Sequence, residues 1–114
     1  MRFHKNRIVN IVEELLNYFF SIGVNDIHMD IIDNVTKYEI IFICNIKDVD
    51  ISKIDLLSEK LNLEKVEEIE EYYWGLTGES QFDNQLSLVG MMVDDFELKT
   101  VKDNLELKLY RQKN

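Results

Sequence analysis

Residues 83–111 read DNQLSLVGMMVDDFELKTVKDNLELKLYR, and this stretch decides the fold class. Its first part has a helical period: Leu86, Val89 and Val93 fall three and four apart, with Asp83 or Asn84 placed to cap the start. The acidic pair Asp94-Asp95 interrupts the helix, and the period then switches to two. Phe96, Leu98 and Thr100 alternate with Glu97, Lys99 and Val101, and Leu105, Leu107 and Leu109 alternate with Glu106, Lys108 and Tyr110. Between the two runs, Lys102-Asp103-Asn104 supplies a polar turn. Two alternating runs joined this way form a β-hairpin with one covered face and one wet face.

Upstream, the same two periods recur. Ile8, Ile11, Leu15, Phe19 and Ile22 repeat at three and four, Val12, Leu16 and Phe20 widen the stripe, and Gly23 ends the helix. Ile27, Met29 and Ile31 alternate with His28 and Asp30, predicting a strand with one solvated face. The polar DNVTK turns the chain into YEIIFICN (38–45), apolar on both faces and therefore the more central strand. Asp50 or Ser52 can cap a helix that turns Ile54, Leu57 and Leu61 inward. After Asn62, Val66, Ile69, Tyr73 and Leu76 predict one more helix, followed by the loop TGESQFDN. There is no proline, internal repeat or linker-like segment. The expected architecture is a single α+β domain over residues 1–114. It is a two-layer sandwich in which a mainly antiparallel four-stranded sheet is covered on one face by helices, in the order α-β-β-α-α-α-β-β.

Composition narrows the function classes. A hydrophobic share of 46% over 114 residues suits one folded domain with its own core. The lone Cys44 lies in an apolar run, has no partner for an internal disulfide, and reads as a small core residue in a reducing compartment. No apolar run approaches the ~20 residues of a membrane span, and residues 1–15 lack the layout of a signal peptide, so the expectation is a cytoplasmic protein. The net charge of −9 argues against nucleic acid and against anionic membrane as partners. That acidity concentrates in VEEIEEYYW (66–74), with Glu67, Glu68, Glu70 and Glu71, while the ends RFHKNR and LYRQKN are basic.

Two segments carry a family resemblance. On the first predicted helix, EELLN (13–17) sets Glu13 and Asn17 one turn apart on one face. The second segment is the helix, acidic junction and closing hairpin of residues 86–111, within which MMVDDFEL is the closest local match. With the element order, these resemble the Bergerat-fold (GHKL) ATP-binding domain of histidine kinases and anti-sigma factor kinases. The resemblance implies a histidine kinase-like ATPase fold, with Asn17 in the place of the residue that chelates the nucleotide's Mg²⁺. Glu13 stands where the family has the residue that polarises an attacking water or hydroxyl. The chain departs from the family at both glycine boxes. Where the adenine-binding Asp-x-Gly-x-Gly belongs, it reads CNIKDVDIS (44–52), with Asp48 and Asp50 but no glycine. Where a phosphate-cradling Gly-x-Gly belongs, it reads Leu86-Ser87-Leu88, with Gly90 a turn later.

The remaining constellations point away from chemistry. His4 and His28 have no cysteine or carboxylate at metal-ligand spacing, and no nucleophile elbow surrounds Ser80, so neither a metal nor a catalytic residue is assigned. Tyr72-Tyr73-Trp74 cannot all enter one core, because neighbours on a helix diverge by ~100°. With Tyr73 inward, Tyr72 and Trp74 either line the edges of the core or stand exposed as interface anchors. EEYYWGLTGES (70–80) also resembles a stretch found in small bacterial proteins. The leading expectation is a non-catalytic regulatory or adaptor module without cofactor. It would bind another protein, or a second copy of itself, through Tyr72, Trp74, Glu67, Glu68 and Glu71. The alternative is an ATP/Mg²⁺-binding anti-sigma-like serine kinase with atypical glycine boxes, acting through Glu13 and Asn17. A homodimer built on an unpaired sheet edge is the third reading.

Overall fold

A computed structural model describes residues 2–62 and 82–113. The described elements are α1 (Arg2–Ser21), β1 (Ile27–Asp33), β2 (Lys37–Asn45), α2 (Ile51–Leu61), α3 (Phe82–Met92), β3 (Asp95–Val101) and β4 (Asn104–Gln112). The helix expected around Val66 to Leu76 lies outside the described residues. The strands form one open sheet in the order β1-β2-β4-β3, and every neighbouring pair is antiparallel. The α+β class with helices on one face of a four-stranded sheet is thus what the period changes in the sequence indicate.

Alternation along the strands sorts the two faces. Tyr38, Ile40, Phe42 and Cys44 of β2 and Leu105, Leu107 and Leu109 of β4 are buried beneath the helices. They meet Ile8, Ile11, Leu15 and Phe19 of α1, Ile54, Leu57 and Leu61 of α2, and Leu86, Val89 and Met92 of α3 in one core. Phe19 and Phe42 cross edge to face at 5.4 Å. On the opposite face, Glu97 stands across from Lys108 and Lys99 across from Glu106, a ladder of cross-strand charge pairs suited to water.

Local chemistry explains the element boundaries. α1 ends in a Schellman motif: Gly23 takes φ +95°, the Val24 N–H bonds the Phe19 carbonyl at 3.0 Å, and the Gly23 N–H bonds that of Phe20 at 3.2 Å. Asp50 caps α2 by accepting from the Ser52 N–H at 3.0 Å. α3 begins at Phe82, ahead of the two residues expected to cap it, Asp83 and Asn84. The hairpin turn is tighter than the sequence suggested, because Asn104 already pairs with Val101 and only Lys102 and Asp103 are left to turn. Lys102 accordingly adopts φ 55°.

The acidic junction after α3 is structural. Asp94 accepts from the Gln112 N–H at 2.6 Å and donates its own N–H to the Tyr110 carbonyl at 2.8 Å, fixing the end of α3 to β4. The buried Arg111 guanidinium donates to the Met92 carbonyl at the C-terminal end of α3 and to Nδ1 of His4 on α1 at 3.4 Å. A cation there meets the carbonyls that a helix leaves without intrahelical partners.

Candidate functional site

Helix α1 is apolar over more of its circumference than one core can use. At ~100° per residue, Ile8, Ile11, Leu15 and Phe19 centre one stripe, and Val12, Leu16, Val9 and Phe20 extend it to about half the helix, against the ~100° arc of a typical surface helix. The core takes the first group. Phe20, expected to widen the buried stripe, is instead 61% exposed, and Val9 is 62% exposed.

The reason lies in β1. Its register places Ile27 against Cys44, Met29 against Phe42 and Ile31 against Ile40, so the alternation read from sequence is present. Yet β1 is an edge strand reaching past the cover of α1, and its inward side chains are wet on that side too: Met29 is 41% and Ile31 48% exposed. One solvated face was expected, and most of both faces is solvated.

Between the surplus face of α1 and the underside of β1 runs a groove of about 520 Å³, floored by Ile8, Val9, Val12, Leu16, Phe20 and Ile31. Leu16 and Phe20 also line a second hollow of about 340 Å³, completed by Asn25, Ile27 and Met29. Together they make an apolar trough along the edge strand of the described sheet. The signal for it in the sequence is the double width of the apolar stripe on α1.

Glu13 and Asn17 stand together, one turn apart, at the rim of this trough, and both are exposed. Among the described residues they are the only polar ones lining the larger hollow, and no basic side chain lines it. The other sequence positions tied to nucleotide binding are committed elsewhere. The Asp50 carboxylate is the cap of α2, and its bond to Ser52 lowers its pKa. Residues 86–88 lie inside α3, with Leu86 and Leu88 buried, where backbone N–H groups belong to the helical ladder. Gly90 serves packing: a Cβ there would lie 2.8 Å from the Lys60 carbonyl oxygen and 2.9 Å from that of Leu61. The partner-binding candidates Tyr72, Trp74, Glu67, Glu68 and Glu71 lie outside the described residues.

Besides Asp50, the groups with shifted titration include Cys44, Glu14 and Asp33. Burial, then the charge of Asp26, pushes the Cys44 thiol up to about 12. Glu14, on the flank of α1, is raised by burial and then by Glu13, and its Oε1 has no hydrogen-bond partner among the described residues. Asp33 at the end of β1 is lowered, chiefly by its bond from Lys113. Among the described residues there is no cluster of three metal-ligating side chains, and no helix is long and apolar enough to cross a membrane. No family model matches the chain, and neither a curated protein nor a solved structure is similar to it.

Proposed function

We propose that the chain is a non-catalytic regulatory or adaptor module, a degenerate relative of the Bergerat-type ATPases that binds protein rather than nucleotide. The observation carrying this reading is the trough itself. Among the described residues, eight apolar side chains on α1 and β1 (Ile8, Val9, Val12, Leu16, Phe20, Ile27, Met29 and Ile31) line a hollow open to solvent beside a strand whose outer edge pairs with no other strand. Such a surface offers an incoming polypeptide both backbone hydrogen bonds and pockets for alternate side chains. It offers a nucleotide triphosphate little, because among the described residues Glu13 would face the phosphates without an opposing cation.

Calorimetric titration with Mg²⁺-ATP and Mg²⁺-ADP tests the choice. The expected result is no heat of binding at millimolar nucleotide. Binding that Asn17→Ala abolishes would replace this reading with that of an anti-sigma-like kinase. In the protein-binding arm, Phe20→Glu with Ile31→Glu should leave the melting temperature near that of the wild type, since both side chains are largely exposed, while removing association through the trough.

A further inference from the structure

The proposal of a protein-binding trough leaves its occupant open, and resting on that reading, we infer that the occupant is a second copy of this chain. The two copies would join β1 to β1 across a twofold axis at Met29. Asn45 donates its N–H to the Asp26 carbonyl at 3.1 Å, and Asn34 donates to that of Lys37 at 3.0 Å. Both bonds continue the β1–β2 register, so the even-numbered residues of β1 bond to β2. Antiparallel ladders alternate, which turns the N–H and C=O groups of Ile27, Met29 and Ile31 toward the free edge.

Among the described residues, no strand pairs with that edge. Edge strands are usually blunted by lysine, proline or a bulge. β1 reads IHMDIID, with neither lysine nor proline, and pairs with β2 residue for residue. The opposite edge is different: β3 carries Lys99, and its Phe96 and Leu98 are half-buried against the core.

Side chains then select the register. In an antiparallel self-pairing, residues directly opposite share a face, so a twofold axis must pass through a residue. An axis at Asp30 sets two carboxylates against each other and Ile27 against Asp33. An axis at Ile31 sets Met29 against Asp33. An axis at His28 pairs Ile27 with Met29 but sets imidazole against imidazole. The axis at Met29 is the most complementary, its nearest mismatch being Ile32 opposite Asp26 at the ends of the pairing. It places Ile27 opposite Ile31 and Met29 opposite itself on the helix side. On the outer side it places the imidazole of His28 opposite the carboxylate of Asp30, twice. These last are non-hydrogen-bonded positions, where facing side chains come closest.

The same axis closes the trough. It stands perpendicular to the sheet, so both α1 helices lie on one side of an eight-stranded sheet. Val9 and Phe20 of each copy then flank the paired Met29 and Ile31 side chains, covering the apolar surface that a single copy leaves wet.

Light scattering on size-exclusion eluates, with four variants, tests the inference. The wild type should elute as a dimer at high micromolar concentration. Asp30→Lys should be a monomer, since it faces His28 with a cation, and His28→Glu with Asp30→Lys should restore the dimer by reversing both members of each pair. Met29→Cys should cross-link with itself under mild oxidation, and Asp30→Cys should not. A monomeric wild type overturns the inference, as does a dimer indifferent to Asp30→Lys or one that cross-links through Asp30→Cys alone. Circular dichroism of each variant confirms that it is folded, and Met29→Cys reports the register independently of the charge changes. A monomer that still engages another protein in a manner sensitive to Phe20→Glu would end the self-pairing while leaving the trough a protein-binding surface. Asn17-dependent nucleotide binding would instead remove the reading beneath both.

Discussion

Replacing Gly90 with alanine probes a close backbone approach in the described core. The added Cβ would meet the carbonyl oxygens of Lys60 and Leu61 at 2.8 and 2.9 Å and the Leu61 carbonyl carbon at 3.1 Å. These atoms are main chain, at the end of α2, and cannot swing aside as a flexible side chain would. To reach ordinary contact, α3 must withdraw from α2 by about half an ångström, loosening Leu57, Leu61, Val89 and Met92 around it. Overpacking of this kind costs about 1–3 kcal/mol. Alanine recovers about 1 kcal/mol of helix propensity against that cost. The net expectation is a loss of up to about 2 kcal/mol, which at about 4 °C per kcal/mol for a domain of this length lowers Tm by up to roughly 8 °C. Thermal and urea unfolding followed by far-UV circular dichroism measure both quantities, and Gly90→Val should be worse still. A Tm that rises in Gly90→Ala would mean that propensity alone governs the site, and the close crossing of α2 and α3 would be refuted.

Three further expectations address other parts of the molecule. With its thiol pushed up to about 12 by burial, Cys44 should react with Ellman's reagent only at the rate at which the protein opens, and rapidly in denaturant; prompt labelling of the native protein would contradict its place in the core. Lys102 holds φ 55° in the β3–β4 turn, a conformation costing non-glycine residues about 1 kcal/mol, so Lys102→Gly should leave the protein equally or up to ~1 kcal/mol more stable in urea titration, and a clear loss would argue against this turn. Glu14 is raised above its ordinary 4.5, so its ionisation opposes folding: the cost is absent below about pH 4.5 and grows as pH rises through the folded value. Glu14→Gln should therefore stabilise the protein at pH 7, by less than ~1 kcal/mol once solvent screening is allowed for, with the gain vanishing at pH 4; equal gains at both pH values would exclude ionisation as the cause.

The fold was largely legible because its signals are local. The alternation of Leu105, Leu107 and Leu109 needs no knowledge of the rest of the chain, and their burial follows from facing α1 and α2. The cap at Asp50, the stop at Gly23 and the central place of β2 are likewise written within a few residues. The trough was not legible in the same way. Whether Phe20 and Met29 are covered depends on how far α1 reaches across the sheet, a property of three-dimensional packing that periodicity does not encode. Glu13 and Asn17 do share a rim, as their spacing required, but spacing said nothing of the apolar floor below them. Gly90 shows the reverse case: a glycine that invites comparison with phosphate loops is required by the contact of two helices.

One consequence concerns the order of assembly. β4, the last described strand in sequence, occupies an interior position, bonded to β2 on one side and β3 on the other. Asn45 meets Asn104 and Lys37 meets Gln112, so every rung of the central seam joins residues more than half the chain apart. The two hairpins can each close within microseconds, whereas the seam must wait for a long loop to be drawn in. Until it forms, β2 and β4 both expose an unsatisfied edge and an apolar face. Refolding is therefore expected to pass its barrier at the joining of the two hairpins. Substitutions along Ile40, Phe42, Leu107 and Leu109 should then weigh on the folding rate more heavily than those in either turn.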